Sequence, residues 1–396
     1  MPSSQSSVLS PQTSRFTALP PLSLYIHLPW CVRKCPYCDF NSHEPRGELP
    51  EAEYVAALTA DLDHALPSVW GRRITTIFFG GGTPSLFSPQ AIDAILSAVR
   101  ARVPLMPEAE ITLEANPGTV EAEKFRGFRA AGVNRLSLGI QSFNPRLLKA
   151  IGRIHDDAEA RRAVEIAQAH FDNLNLDLMY ALPGQTPEEA GADIAQAVAY
   201  GVPHVSAYHL TLEPNTLFHR YPPVLPDDDT AADMQLAIEA QLAAAGYVNY
   251  ETSAFAKPGA QCRHNLNYWT FGDYVGIGAG AHGKWSLRDR VTRDARWRSP
   301  REYLEKARAG DPVQTTATVS VRDLPGEFMM NALRLAEGFP LTLFEERTGL
   351  PRTAVLGPLD EAERLGFIVR DHARVVPTER GRRFLNDLLA LFLPAD

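Results

Sequence analysis

Three of the chain's four cysteines fall within eight positions, at Cys31, Cys35 and Cys38 of the stretch CVRKCPYCDF. Four cysteines with this clustering do not make a disulfide framework; they suit a reducing compartment in which thiols act as ligands or catalysts. Zinc would ask for four protein ligands in a closed tetrahedron and commonly takes them from separated pairs. Cys262, far along the chain beside His264, is the remaining cysteine that such a site would need. A cubane iron–sulfur cluster also presents four metal corners, and three thiolates leave one iron open to a small molecule. The triad admits either reading, and its surroundings must separate them.

Further polar residues recur at the ends of apolar runs. Gly80-Gly81-Gly82-Thr83-Pro84 follows ITTIFF directly. Glycine lets a backbone approach a ligand without an intervening Cβ, although a tight turn explains a lone triplet equally well. Glu114, Gln141, Arg153 and Asp177 lie in LEANPG, GIQSF, GRIH and NLDLMYALPG, each at or just beyond such a run. Taken singly, capping and solvated loops account for them. Between Lys284 and Arg301 seven basic residues stand against two acidic ones, a solvated loop on the simpler view and an anion-facing surface on the other.

The elements that would carry these residues alternate regularly. Strands are predicted at LSLYIHL (22–28), ITTIFF (74–79), EITLE (110–114), NRLSLGI (134–140), LNLDLMY (174–180) and HVSAYHLT (204–211), each ending near turn residues. Amphipathic helices lie between them. After Ser88, a candidate N-cap followed by Pro89, the residues Ile92, Ile95, Leu96 and Val99 form one apolar face. A helix over 121–132 closes on Gly132. Six alternations imply parallel strands with right-handed crossovers. Polar residues gathered at the strand ends fit a barrel, whose chemistry collects on its C-terminal face. The fold class is therefore α/β, a partial (β/α)6 TIM-type barrel with a C-terminal helical, winged-helix-like domain.

The segments divide as a Ser-, Gln- and Pro-rich disordered leader at 1–20, the barrel core at 21–220, a linker and motif region at 221–323, and the winged-helix-like domain at 324–396. The 396 residues, 45% hydrophobic and 22% charged, suffice for one large domain and a smaller one. The formal net charge of -8 argues against a general nucleic-acid binder. Within 341–396 eight basic residues face nine acidic ones, so the C-terminal module reads as docking or support rather than DNA recognition. No apolar run of membrane-spanning length and no secretory or transit signal is present, which predicts a cytoplasmic protein.

C-x3-C-x2-C just past the first strand, with aromatic Tyr37 before the third cysteine, resembles the signature of the radical SAM superfamily. That resemblance implies a [4Fe-4S] cluster held by Cys31, Cys35 and Cys38, with S-adenosyl-L-methionine (SAM) on the open iron. It implies that Tyr37 lies against the adenine and that Gly81, Gly82 and Thr83 belong to a loop holding the methionine amino group. As an ordered set, Tyr25, Glu114, Gln141, Arg153 and Asp177 resemble the SAM-contacting residues of the coproporphyrinogen-oxidase-like branch. There Arg153 would pair with the carboxylate, and Gln141 or Asp177 with polar groups of the nucleoside.

Two features divide that branch. Its oxygen-independent coproporphyrinogen III dehydrogenases carry a further cysteine two places after the third, where this chain has Phe40. His264-Asn265-Leu266-Asn267-Tyr268-Trp269 instead matches H-N-x-x-Y-W, a motif of the branch's haem chaperones. The resemblance implies haem as a third cofactor, with His264, Asn265, Tyr268 and Trp269 as its motif. Imidazole is a common axial ligand of haem iron, and Tyr268 and Trp269 offer flat surfaces to a porphyrin. A histidine beside asparagine more often serves as a hydrogen-bonding residue. The implied function is transfer of haem to an acceptor haemoprotein, a respiratory-chain protein being one candidate, with an electron-donor protein and peripheral membrane contact as further partners. Radical oxidative decarboxylation of coproporphyrinogen III is the alternative. Cys262 reads most simply as a small buried side chain.

Overall fold

The computed structural model describes residues 15–119 and 122–394. Residues 1–14 of the expected leader and Glu121 of the expected third helix lie outside them. Six strands pair in chain order, all parallel: β1 (Leu22–Leu28), β2 (Ile74–Gly81), β3 (Leu105–Ala115), β4 (Arg135–Gln141), β5 (Leu174–Tyr180) and β6 (His204–His209). Each matches a segment read from the sequence.

Every strand carries a period-two pattern that decides which face is which. On β1, Leu22, Leu24, Ile26 and Leu28 join the apolar core beneath the outer helices, while Ser23, Tyr25 and His27 point the other way. Leu136, Leu138 and Ile140 of β4 repeat the pattern against Arg135, Ser137, Gly139 and Gln141. So do Leu174, Leu176 and Leu178 of β5 against Asn175, Asp177 and Met179. The inner face is therefore polar, and its upper part encloses a cavity. Outside, the helices are set by local signals. Ser88 caps Pro89–Arg100 through Oγ, which accepts from Ala91 N at 3.1 Å. Asp156 and Thr186 form capping boxes with Glu159 and Glu189.

Beyond β6 the chain continues the same sheet at both edges. β7 (Val248–Glu251) and β8 (Ala254–Ala256) extend the β6 edge. β9 (Asp273–Ile277) returns to pair parallel with β1, and β10 (His282–Ser286), β11 (Val291–Arg296) and β12 (Val313–Thr318) follow antiparallel. Residues 221–323, read as a linker and motif region, thus supply six strands to a twelve-stranded sheet.

Two buried charge centres fasten this extension. Asp61, on the helix Glu51–Val69, accepts from Arg296 Nε (3.0 Å), Gly278 N (3.0 Å) and Tyr303 Oη (2.9 Å). Asp273 pairs with Lys284 Nζ (2.9 Å) and Arg72 Nη1 (2.8 Å), and accepts from Ser286. The basic run 284–301 is consequently no solvated loop. Lys284, Arg293 and Arg296 are spent in ion pairs with Asp273, Glu327 and Asp61.

The C-terminal module packs the helices Leu324–Ala332, Leu341–Thr348 and Leu356–Arg364 with a three-stranded sheet, β13 (Phe339–Pro340), β15 (Arg374–Pro377) and β14 (Ile368–Arg370). Phe16 is buried in this module's core, and Arg15 N donates to Gly349 O at 3.1 Å. Residues 15–20 of the expected leader are thus drawn onto the folded protein. Among the described residues no helix is long and apolar enough to cross a membrane.

Candidate functional site

The cysteine loop leaves the C-terminal end of β1 and closes on itself. Cys31 N donates to His43 O (3.0 Å), His43 N to Pro29 O (2.7 Å) and Cys38 N to Cys35 O (3.1 Å). Asn41 ties it sideways, its Nδ2 donating to Ala279 O and Arg298 O, both at 2.9 Å. The loop also rests on the β2 turn, where Gly82 N donates to Leu28 O (2.8 Å) and Thr83 N to Trp30 O (2.7 Å). A Cβ on Gly82 would lie 2.5 Å from the Trp30 carbonyl oxygen, and one on Gly81 would lie 2.5 Å from the His27 ring. These glycines are needed first for the approach of one protein segment to another. They border the cavity as well.

That first cavity, about 430 Å³, is lined by all three loop cysteines. Tyr37, Gly81, Gly82, Thr83, Glu114, Gln141, Arg153, Asp177 and Asn265 also border it, so most of the predicted set converges. Among the described residues no three His, Cys, Asp or Glu side chains form a closed metal-coordinating group, and the three sulfurs share a cavity wall. Each sulfur has its own polar contact. Thr83 Oγ1 donates to Cys31 Sγ (3.4 Å), Arg153 Nη1 lies 3.6 Å from Cys35 Sγ, and Ser42 Oγ is 3.7 Å from Cys38 Sγ. Burial raises the pKa of Cys31 and Cys38.

Asn116, which the sequence reading did not single out, links these contacts. Its Nδ2 donates to Thr83 Oγ1 (2.8 Å), and its Oδ1 accepts from Arg153 Nη2 (2.7 Å). Arg153 also donates to Gly139 O at 2.7 Å. Arg135 was missed too; it is buried at the cavity wall. Both Arg135 and Arg153 border the cavity and keep a buried Nε without a partner, two orphan cationic donors that an anionic ligand group could satisfy. Asp177 has both carboxylate oxygens occupied, by Ser137 Oγ and Asn175 Nδ2 at 2.8 Å each. Gln141 adopts φ +68, a left-handed backbone that a non-glycine residue holds at a cost of about 1–3 kcal/mol. The alternation carried the signal for these residues: Asn116 follows Glu114 by two positions, and Arg135 shares the inner face of β4 with Gln141.

Glu114 stands at a junction. It borders the first cavity and a second of about 510 Å³ toward β9–β12, as do Phe40 and Gly81. Burial, then the neighbouring Asp177 charge, pushes its pKa up to about 8; a hydrogen bond from Gly81 N–H partly offsets this. Tyr25 and Tyr268 line the second cavity, not the first.

His264 lines neither cavity. Its Nδ1 is 2.7 Å from Thr76 Oγ1, its backbone N donates to Glu110 Oε1 (3.0 Å), and its Nε2 is buried without a partner. Its ring packs on Phe78 and Tyr268, with centroids 5.1 and 5.2 Å away. Burial, then Arg135, lowers its pKa to about 3, so it is neutral. Trp269 faces the C-terminal module, with the Arg334 guanidinium 5.1 Å over its ring. Cys262 is buried beside Glu110, its Sγ 3.6 Å from Oε1. Glu110 lies four residues below Glu114 on β3, about 13 Å at strand rise, so the four cysteines do not converge on one ion.

Comparison with known proteins defines the class first. Residues 25–197 match the Radical SAM superfamily, and residues 319–384 match the HemN C-terminal domain. The heme chaperone HemW of Escherichia coli (strain K12) is 52% identical over 379 residues, covering 95% of this chain and 99% of that protein. The heme chaperone HemW of Mycobacterium tuberculosis (strain ATCC 25618 / H37Rv) is 36% identical over 370 residues, covering 91% and 92%. The chain belongs to the HemW family of the radical SAM superfamily. Its fold is that of coproporphyrinogen III oxidase (HemN) from Escherichia coli, with TM-score 0.80 at 22% identity over 94% of this chain and 90% of that one.

Proposed function

We propose that the protein is a haem chaperone that holds a [4Fe-4S] cluster, SAM and haem and passes haem to an acceptor haemoprotein. The observation that carries this reading is the pairing of two adjoining cavities, one walled by three thiols and orphan arginine donors, the other by aromatic rings. Soft thiols with no fourth cysteine in reach suit a cluster with one open iron. Cys31, Cys35 and Cys38 would hold it. Arg153 would take the carboxylate of SAM, Glu114 and the Gly81–Thr83 loop its ammonium, Tyr37 its adenine, and Gln141 or Asp177 its nucleoside. When bound, the cluster supplies one-electron reduction of SAM. The chain's own part is to exclude water from the polar barrel interior and to fix these groups.

The H-N-x-x-Y-W motif fits the second role as a structural unit. Tyr268 gives the second cavity a ring surface, and the His264 ring packs against it at a tilt, its Nε2 buried without a partner. Asn265 faces the cluster side, and Trp269 couples the motif to the C-terminal module. We assign the protein to the cytoplasm, with an electron-donor protein and an acceptor that brings it to a membrane surface. The test is anaerobic reconstitution, haem titration and transfer to an apo-haemoprotein followed by the Soret band. Saturable binding and transfer are expected, weakened by replacing His264 and Tyr268. Sustained conversion of coproporphyrinogen III to protoporphyrinogen would overturn the chaperone reading.

A further inference from the structure

The second cavity contains a histidine that the motif does not include. His282, at the start of β10, borders this cavity with its side chain exposed. Among the described residues nothing hydrogen-bonds its ring nitrogens. The cavity's other imidazole is engaged at both nitrogens: His27 Nδ1 is 3.0 Å from Tyr25 Oη, and its Nε2 is 2.9 Å from Asn41 O. Tyr268 and Tyr274 lie on the same border, tilted against each other with centroids 4.2 Å apart and 33° between planes. On the same border Arg298 is exposed and has no ion pair among the described residues. Arg296, by contrast, is held by Asp61 and Asp294. An aromatic wall, an unengaged imidazole and a free guanidinium suit a flat ligand with a nitrogen-seeking metal and anionic arms.

Resting on the haem-chaperone reading, we propose that this second cavity seats the haem, with His282 giving a ring nitrogen to the iron, Tyr268 and Tyr274 meeting the porphyrin, and Arg298 meeting a propionate. Partial desolvation at the cavity border, then the Arg293 and Arg298 charges, lowers the His282 pKa, which favours the neutral imidazole that binds metal. Asn41 connects this site to the cysteine loop, since its side chain bonds the Arg298 carbonyl while its own carbonyl meets His27.

The test uses the full chain, cluster-loaded under anaerobic conditions and titrated with haem. His282→Ala is expected to weaken haem binding at least about tenfold and to remove the histidine signature from electron paramagnetic resonance and magnetic circular dichroism spectra. His282→Gly should regain that signature with added imidazole. Arg298→Ala should weaken binding with an unchanged spectrum. Iron–sulfur content and far-ultraviolet circular dichroism check that each variant folds. A His282→Ala protein with unchanged spectrum and affinity, or a His282→Gly protein that imidazole does not restore, would overturn the assignment. If the unaltered chain fails to bind haem, the chaperone reading itself falls.

Discussion

Replacing Glu114 by Gln separates the cost of a buried carboxyl from its use. The amide keeps the shape and removes the charge. In the ligand-free protein the Glu114 pKa moves from 4.5 to about 8, because burial and Asp177 disfavour its ionised form. That difference corresponds to about 5 kcal/mol if fully expressed. Because Glu114 is only half-buried, about 2–3 kcal/mol of it is expressed. The sign follows from proton counts: between pH 4.5 and 8 the folded state holds a proton that the unfolded state has lost. Glu114 therefore costs nothing below that window, and its penalty is complete above it. Thermal unfolding of cluster-free protein should give nearly equal midpoints for both forms at pH 4.5, and a growing advantage for Glu114→Gln toward pH 8.5. The same variant should bind SAM about 10- to 100-fold more weakly, having lost a charged partner for the ammonium. A stability difference that does not change with pH, or undiminished SAM affinity, would refute the reasoning.

Binding SAM to cluster-loaded protein at pH 7 should release up to about one proton as Glu114 ionises against the ammonium, and Glu114→Gln should release none; calorimetry in buffers of different ionisation enthalpy measures this. Cys38→Ala should lose most cluster iron, whereas Cys262→Ala should keep it and cost about 1 kcal/mol by denaturant titration. Gly82→Ala forces a Cβ toward the Trp30 carbonyl and should cost about 1–3 kcal/mol while lowering iron bound per chain. Asp273→Asn leaves Lys284 buried without its counter-charge and should destabilise the protein by about 3–5 kcal/mol, read by denaturant unfolding.

The six-strand barrel was legible because each strand writes its two faces in alternate residues. LSLYIHL and NRLSLGI show the helix-facing leucines and the interior polar positions at once. The cysteine triad and the polar residues at strand ends were legible for the same reason. Asn116 and Arg135 lay two positions from Glu114 and Ser137 on those inner faces and were passed over, since each alone looks like an ordinary turn or charge. The second cavity was not legible. Part of its wall comes from β9–β12, and β9 pairs with β1 across some 250 residues of chain, a pairing that no local pattern announces. The same gap hid the burial of His264, which the helix Arg263–Trp269 carries against β2. The basic run misled because three of its seven charges, Lys284, Arg293 and Arg296, answer distant Asp273, Glu327 and Asp61.

The central claim is that cluster, SAM and haem occupy two adjoining cavities of one chain. Its most direct measurement is simultaneous stoichiometry: anaerobic protein loaded with cluster and SAM, titrated with haem, then freed of unbound ligand and analysed for iron, sulfide, SAM and haem. One haem per chain is expected, with the four irons of the cluster and one SAM retained. Haem that binds only by displacing SAM or the cluster, or no saturable haem binding, would contradict it.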